Sequence, residues 1–392
     1  MSPINRRQFL CSSVLACLPL SFSAASYGAV LLKAYILGAQ GRQADKYGLG
    51  WTPSTNVAAQ RSSSSNNVFN IKNNNITLQA MGFRGHGYAY APQRPNKVVA
   101  FARRPGVEAV VVNIEEQSIE PAFTCTQGFH LLGHGCFNAD GTRLYTAESD
   151  YINGQGKIVV RDGETFNIVH MWDSGGIGPH EIKFMPDGKT LVVANGGLLT
   201  HPETGRKVHN LDTMQSNLCY LDVLTGKCLE KVLVPESKAS IRHLDIARDG
   251  SVAFAIQVQR EAMTTDDLVP LVGIHRRGGN VAFFQNHETL LTQMQDYVGS
   301  VAISDTHRVV GATSPKGNVA VFWDINTQNI VGYHMLFDVC GITTCDHGDT
   351  FVLSNSAGEL RYISATTFKE NQSRRIVDAA VNWDNHLFAI NQ

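Results

Sequence analysis

The chain has 392 residues, a length that fits either two ordinary domains or one long all-β barrel or propeller. Its 33 Lys and Arg residues are balanced by 34 Asp and Glu residues, and no basic run follows the N-terminus. This balance argues against a nucleic-acid partner and against attraction to anionic lipid. No later stretch approaches the ~18 apolar residues of a membrane span, so we expect no transmembrane helix.

The first residues, "MSPINRRQFLCSSVLACLPLSFSAASYGA", combine a pair of arginines, a modestly apolar stretch and a run of small residues. This pattern resembles a twin-arginine export signal. We predict a signal peptide at residues 1–28, export to the periplasm, and a single domain over residues 29–392. The alternatives are a chance arginine pair before a buried helix and a lipoprotein box ending at Cys17.

Two N-terminal stretches, "AVLLKAYILGAQGR" and "NITLQAMGF", read as strands separated by a Ser- and Asn-rich surface loop. After them the chain repeats one pattern, a tight Asp-containing turn between two short β-rich runs, which is typical of a hairpin. The pattern recurs in "FNADGTRLYTA", "FMPDGKTLVVA", "IARDGSVAFAI", "AISDTHRVVGA", "TTCDHGDTFVL" and "AVNWDNHLFAI", and more loosely in "YAPQRPNKVVAFA".

A second pair of β-rich runs follows most of these hairpins, so each unit has four strands and recurs about every 40 to 60 residues. Seven units fit the chain, and the last, beginning at Val377, has only two strands of its own. We therefore predict an all-β, seven-bladed β-propeller whose last blade is closed by the two N-terminal strands. Closure matters because it removes exposed sheet edges.

A histidine recurs six or seven positions before the turn, where the innermost strand of a blade begins. The aligned residues are His86, His134, His180, His243, Gly299, Cys340 and Asp378. In a propeller these positions surround one mouth of the central channel, so the four histidines become neighbours. The longest insertions, such as Asn195 to Gln215, join the second and third strands of a blade and fall on the same mouth, where function tends to reside on loops.

Many motifs resemble those of a family of exported bacterial proteins, domain-of-unknown-function family 1513. They include "RGHG", "FARRPG", "GHGCFNADGTRLYTAESDY", "GIGPHEIKFMPDGKTLVVANGG", "LTHPETGR", "IRHLDIARDG" and "DVCGI". The resemblance implies a seven-bladed propeller in the periplasm. It also implies an association with imelysin-like and di-haem periplasmic proteins, and so a role in iron acquisition.

Neutral imidazole is the commonest transition-metal ligand, so His86, His134, His180 and His243 are candidate ligands for Fe, Cu or Zn. The objection is the radius of a seven-bladed hub, because ligand bonds must be only ~2.0–2.1 Å long. The alternative is that these rings satisfy backbone polar atoms at the mouth.

The same mouth offers groups for an anionic or polar ligand. Arginines beside the histidines favour a carboxylate or a haem propionate, a glutamate can orient an imidazole, and the long insertion can cap the site. The candidate ligand-binding residues are Arg84, Arg242, Glu181, His201 and Asn195. An ion-pair belt and ordinary surface polarity are the alternatives.

The chain has no phosphate loop, nucleophile elbow, "HExxH" or "CxxCH" motif. Three functions stay open: a monomeric periplasmic accessory protein of iron or other metal acquisition that binds a metal, a metal complex or a partner at the histidine-bearing mouth; a metal-dependent oxidoreductase or lyase; and an interaction scaffold.

Overall fold

The computed structural model describes residues 34–41, 47–54 and 76–390. The predicted signal peptide, residues 1–28, lies outside them and stays a prediction. Within the described residues, 28 strands form seven four-stranded antiparallel sheets, which confirms the seven-bladed propeller. The one α-helix in these ranges is α1 (Glu288–Met294), and no helix there is long and apolar enough to cross a membrane.

In chain order the strands are β1 (Tyr35–Gln40), β2 (Gly48–Pro53), β3 (Thr77–Ala80), β4 (Gly85–Tyr90), β5 (Lys97–Ala102), β6 (Glu108–Asn113), β7 (Ser118–Thr124), β8 (Phe129–Phe137), β9 (Arg143–Asp150), β10 (Gln155–Asp162), β11 (Ile168–Asp173), β12 (Pro179–Phe184), β13 (Thr190–Asn195), β14 (Asn217–Asp222), β15 (Cys228–Leu233), β16 (Ala239–Ile246), β17 (Ser251–Val258), β18 (Val272–Arg276), β19 (Ala282–Phe283), β20 (Ser300–Ser304), β21 (Val309–Ser314), β22 (Val319–Asp324), β23 (Ile330–Met335), β24 (Val339–Cys345), β25 (Thr350–Asn355), β26 (Glu359–Ser364), β27 (Ile376–Val377) and β28 (Trp383–Ile390). Short 3-10 turns lie at Pro202–Thr204, Arg260–Ala262, Asp346–Gly348 and Gln372–Arg374.

Each blade follows the burial that its sequence pattern dictates. Strands in the middle of a blade, such as β13 ("TLVVAN") and β21 ("VVGATS"), are buried on both faces because neighbouring blades pack against each side. The outermost strands are more exposed: β23 ("IVGYHM") alternates between partly buried and exposed residues, and β11 is exposed at nearly every position. The Asp-containing turns recognised in the sequence connect the first and second strands of blades, with the exception described next.

N-terminal strands close the ring, as predicted, but the division of the last blade differs. That blade is β28 followed by β1, β2 and β3, so one C-terminal strand and three N-terminal strands form one sheet. The sequence pattern predicts only two of these N-terminal strands, and the additional one is β2 (Gly48–Pro53), a short strand with two glycines. The segment "WDN" is not a turn, because Trp383–Ile390 is one continuous strand, and Ile376–Val377 belongs to the preceding blade.

The seven inner strands, β4, β8, β12, β16, β20, β24 and β28, contact one another in succession and return from β28 to β4. They surround the central channel. The β28–β1 ladder lies within the last blade and runs from Tyr35 opposite Ile390 to Gln40 opposite Trp383. It joins the two ends of the described chain and so closes the ring.

We expect a deletion of residues 34–80 to make the protein aggregate, because it removes β1 to β3 and leaves β28 with an unpaired edge. Size-exclusion chromatography and thermal melting measure this. The control is a deletion of residues 57–73, which keeps every described strand and should remain monomeric. A 34–80 deletion that stays monomeric with unchanged melting would contradict the proposed closure.

Candidate metal centre

Breaks in strand register bring side chains into the hub. Six inner strands shift register against their neighbouring strand near the same level of the channel, for example between Gly85 and Tyr88 of β4 and between Leu131 and Gly135 of β8. The others are β12, β16, β24 and β28, while β20 runs without a shift. Extra residues in a strand re-aim its side chains, and five of these six irregular segments carry a histidine.

Those five residues, His86, His134, His180, His243 and His386, are termed the hub histidines. They come from five adjacent blades and are all buried. In nine of their ten pairs, all but His180 with His386, the ring centroids lie between 4.1 Å (His243 to His386) and 6.1 Å (His86 to His243) apart. The radius of the hub therefore does not separate them, and the four histidines identified from sequence are neighbours as expected.

Two glycines permit this close packing. A Cβ atom on Gly133 would lie 2.4 Å from Cδ2 of His86, and one on Gly87 would lie 2.6 Å from Nδ1 of His134. Gly133 also has φ of +100°, which side chains rarely adopt. The "GHG" motifs around His86 and His134 therefore have a steric cause, because a larger residue at Gly87 or Gly133 would collide with a neighbouring imidazole.

The nitrogen atoms converge closely enough to share an ion. Two triads, His86–His134–His180 and His86–His243–His386, have their donor atoms within 4.8 Å of one another. Nε2 of His86 and Nε2 of His180 are 3.3 Å apart. Nitrogens bound to one tetrahedral ion at ~2.0–2.1 Å stand about 3.3–3.4 Å apart, so this pair already spans one edge of such a site. The same distance also fits an N–H···N hydrogen bond.

Partners outside the cluster hold only some of the ring nitrogens. Nδ1 of His243 lies 3.2 Å from Oε2 of Glu181, which also accepts the backbone N–H of Leu244, and Nδ1 of His386 lies 3.1 Å from the hydroxyl of Ser300. Nε2 of His134, Nδ1 of His180 and Nε2 of His386 are buried and lack a partner within the described residues. Buried polar atoms are rarely left this way unless something else binds them.

Burial keeps the hub histidines neutral. Their pKa values are well below the usual 6.5, first because burial disfavours the charged ring and then because neighbouring histidines and basic residues repel a proton. Glu181 opposes this effect at His134. Neutral rings are the form that binds a metal ion, so the cluster is ready for ligation at neutral pH.

A basic pocket lies on one side of the cluster. Arg103, Arg104, Arg206 and Arg242, termed the arginine mouth, line it with Gln257, Tyr297 and Asn385, and its inner wall is His86, His180 and His243. Its volume is about 10 Å³. Burial lowers the pKa of Arg103 and of Arg104 to about 10, and it lowers that of Arg242 as well.

A larger cavity, of about 420 Å³, lies along the channel on the other side, where His134 and His386 form part of the wall. Its polar lining includes Glu181, Lys183 and Asp245. Nζ of Lys183 is 2.8 Å from Oδ1 of Asp245 and 3.7 Å from Oε1 of Glu181. The hub histidines therefore separate a basic pocket from a wider cavity that carries both signs of charge.

Three residues predicted to bind a ligand have other partners. Arg84 donates two hydrogen bonds to Asp384, at 2.5 and 2.9 Å. Asn195 accepts a hydrogen bond from Ser174 and donates one to Asn217, and His201 caps a 3-10 turn outside the cluster. Arg242 and Glu181, by contrast, lie against the hub histidines.

Sequence alignment placed Asp378 in the ring, where the structure instead has His386. Asp378 lies in the turn after β27, so its alignment was wrong. The arginines beside Arg242 were also missed as site residues. Arg103 and Arg104 follow a second strand, β5, and Arg206 lies in the long β13–β14 insertion. Two features of the sequence could have indicated these residues: the adjacent arginines of "FARRPG" (Arg103 and Arg104) and the histidine of "NH" within the last strand (His386).

We expect Gly133→Ala to lower the free energy of unfolding by about 2–5 kcal/mol, because it combines an unfavourable positive φ with overpacking against His86. Gly188→Ala is the matched control. Gly188 also has a positive φ, +63°, but a Cβ there meets no atom within 4 Å, so only the conformational cost of about 1–2 kcal/mol applies. Urea unfolding measures both, and equal losses would argue against steric contact at the hub.

We expect the metal-free protein to lose stability as pH falls from 7 to 5. Below about 6.5 the unfolded chain binds protons that the folded hub excludes, so each hub histidine removes up to about 1.4 kcal/mol per pH unit. His130 and His334, whose pKa values are also lowered by burial, act in the same direction. Urea midpoints measure the slope, which should flatten in His134→Asn/His180→Asn. Stability independent of pH in this window would contradict the prediction.

The comparisons with known proteins agree with this fold and assign no activity. The chain is similar to hydrazine synthase of Kuenenia stuttgartiensis, with 13% identity and a TM-score of 0.60, over 82% of this chain and 90% of that one. It is also similar to a chain of a mitotic checkpoint complex, with 12% identity and a TM-score of 0.54, over 74% and 79% of the two chains. At such identities the likeness extends to the fold alone.

No curated protein matches the chain significantly. One family model, described as "Protein of unknown function (DUF1513)", matches residues 79–390 and so includes all five hub histidines. Because this match spans well over half of the 392 residues, the chain belongs to the DUF1513 family of proteins of unknown function.

Proposed function

We propose that this protein is a periplasmic accessory protein of metal acquisition, foremost of iron, that holds a transition-metal ion among the hub histidines. The observation that carries the proposal is the convergence of five buried imidazoles whose nitrogen atoms are partly unpartnered. The proposed compartment rests on the twin-arginine pattern of the first 28 residues. Imelysin-like and di-haem partners rest on the family resemblance.

A purely structural role accounts for these histidines less well. A structural histidine is normally hydrogen-bonded, yet three of the five have a buried nitrogen without a partner within the described residues. Leaving such a group unsatisfied costs about 1–3 kcal/mol, and an ion bound by these nitrogens removes that cost. Fe, Cu and Zn all suit imidazole ligands, and Glu181, grouped with His134 and His243, offers a carboxylate oxygen.

The second candidate is a metal-dependent oxidoreductase or lyase. The cavity of about 420 Å³ favours it, because that space reaches His134 and His386 and is within the range of small-molecule pockets. Lys183 and Asp245, which form an ion pair beside it, offer charged groups to a bound molecule. We expect metal retention without turnover of simple redox substrates, and metal-dependent turnover at that cavity would favour the enzyme instead.

We expect protein purified from the periplasm without a His-tag to contain a stoichiometric transition metal, or to take one up when offered Fe, Cu or Zn. His134→Asn/His386→Asn should lose it, because the two changes together break both triads of hub histidines and the group of His134, Glu181 and His243. Elemental analysis measures the metal content, and circular dichroism checks the fold.

The matched control is His130→Asn. His130 is a buried histidine of the same strand as His134, also with an unpartnered Nε2, but it lies outside the cluster. Its variant should keep the metal. If the double variant unfolds, His386→Gln gives the same comparison with one changed ligand. A wild type that stays metal-free after reconstitution, or full metal content in the double variant, would overturn the proposal.

A further inference from the structure

The arginine mouth carries more positive charge than the described residues balance. Arg103 has a carboxylate within reach, Oδ1 of Asp384 at 3.9 Å, and that carboxylate is already bonded to Arg84. Arg104, Arg206 and Arg242 form no ion pair within the described residues. The charges that act on Arg104 and Arg242 are mainly those of the other arginines, which repel, with Tyr297 acting in the opposite sense.

Of these three arginines, Arg242 has the strongest need for a negatively charged partner. Its side chain is buried, and its Nε has no hydrogen-bond partner within the described part of the chain. One terminal nitrogen of Arg104 is buried and unpartnered in the same way. A guanidinium holds its proton to high pH, so it rarely avoids the cost of burial by becoming neutral. Donors of this kind need an acceptor, and none is supplied by residues 34–41, 47–54 and 76–390.

The pocket between these donors is small. Its volume of about 10 Å³ leaves room for roughly one water-sized sphere, so a compact ligand suits its interior better than an organic carboxylate or a haem propionate. The occupant must therefore be compact, negatively charged and able to accept several hydrogen bonds.

We propose that the arginine mouth is a binding site for a small inorganic anion, a halide or an anion of very few atoms, held by Arg104, Arg206 and Arg242 against the hub histidines. The site goes beyond the proposed metal function, because the arginines require an anion whether or not the histidines hold a metal. When a metal is bound, the anion also offsets the repulsion between that ion and the arginines, so we expect the two to favour each other.

Chloride serves as the probe, with gluconate of equal ionic strength as the reference, because gluconate is too large for the pocket. We expect chloride to raise the melting temperature of the wild type in a saturable way, as a ligand of the folded state does. Sulfate should be the weaker ligand despite its higher charge, since it exceeds the volume. A crystal soaked in iodide should show one anomalous peak between Arg104 and Arg242.

Arg242→Met should weaken chloride binding at least about tenfold, the order expected from losing charge-assisted hydrogen bonds. Removing an unpaired buried charge should also raise the melting temperature in gluconate. Should this variant not fold, Arg206→Gln changes an exposed arginine of the same pocket and should weaken binding too. The control is Arg248→Gln, an exposed arginine paired with Asp305 elsewhere.

The proposal is overturned if chloride and gluconate act equally on the wild type, if sulfate outcompetes chloride, or if Arg242→Met responds like Arg248→Gln. The metal question is kept separate by repeating the titration with His134→Asn/His386→Asn, because neither residue lines the arginine mouth. Chloride binding that persists there, with no metal in the wild type, would leave the anion site standing and remove only the proposed metal function.

Discussion

The pairing of β28 with β1 is the interaction on which the rest of the molecule depends. It joins strands more than 300 positions apart in the chain and turns a row of six sheets into a ring with no open edge at the hub. Only in a closed ring do the inner strands face a common axis. The side chains that meet there, and the pockets on either side of them, exist because this one ladder forms.

In a closed ring of regular inner strands, successive side chains of each strand would point to opposite faces of its blade. Regular strands alone would therefore not gather side chains in the central channel. The register breaks near one level of six inner strands supply what is missing, and glycines such as Gly133 give the crowded rings room. The result is a dense group of neutral imidazoles beside a group of positively charged guanidiniums. The imidazoles and Arg242 are buried at some energetic cost, which points to ligands that offset it.

The sequence predicted much of this, for identifiable reasons. Asp-containing turns recur because each blade needs a tight first hairpin, so the number of blades and four histidines in register could be found by alignment. Aligning the last unit on "WDN" failed because β28 is itself the inner strand of its blade and pairs with the N-terminal β1, so no Asp-containing turn joins them, and His386 was lost with it. Register breaks and pairings between distant blades leave no local signal, so the position of Arg104 beside Arg242 had to come from the structure.

Spacing along the chain has a further consequence for how the hub is assembled. His86 and His386 are separated by 300 positions, yet their ring centroids are only 4.6 Å apart. A chain synthesised as far as residue 380 would hold four of the five histidines but lack the strand that brings the fifth. Contacts so distant in sequence form late and slowly. The complete hub is thus a marker of finished folding, and a ligand that requires all five rings would distinguish mature molecules from incomplete ones.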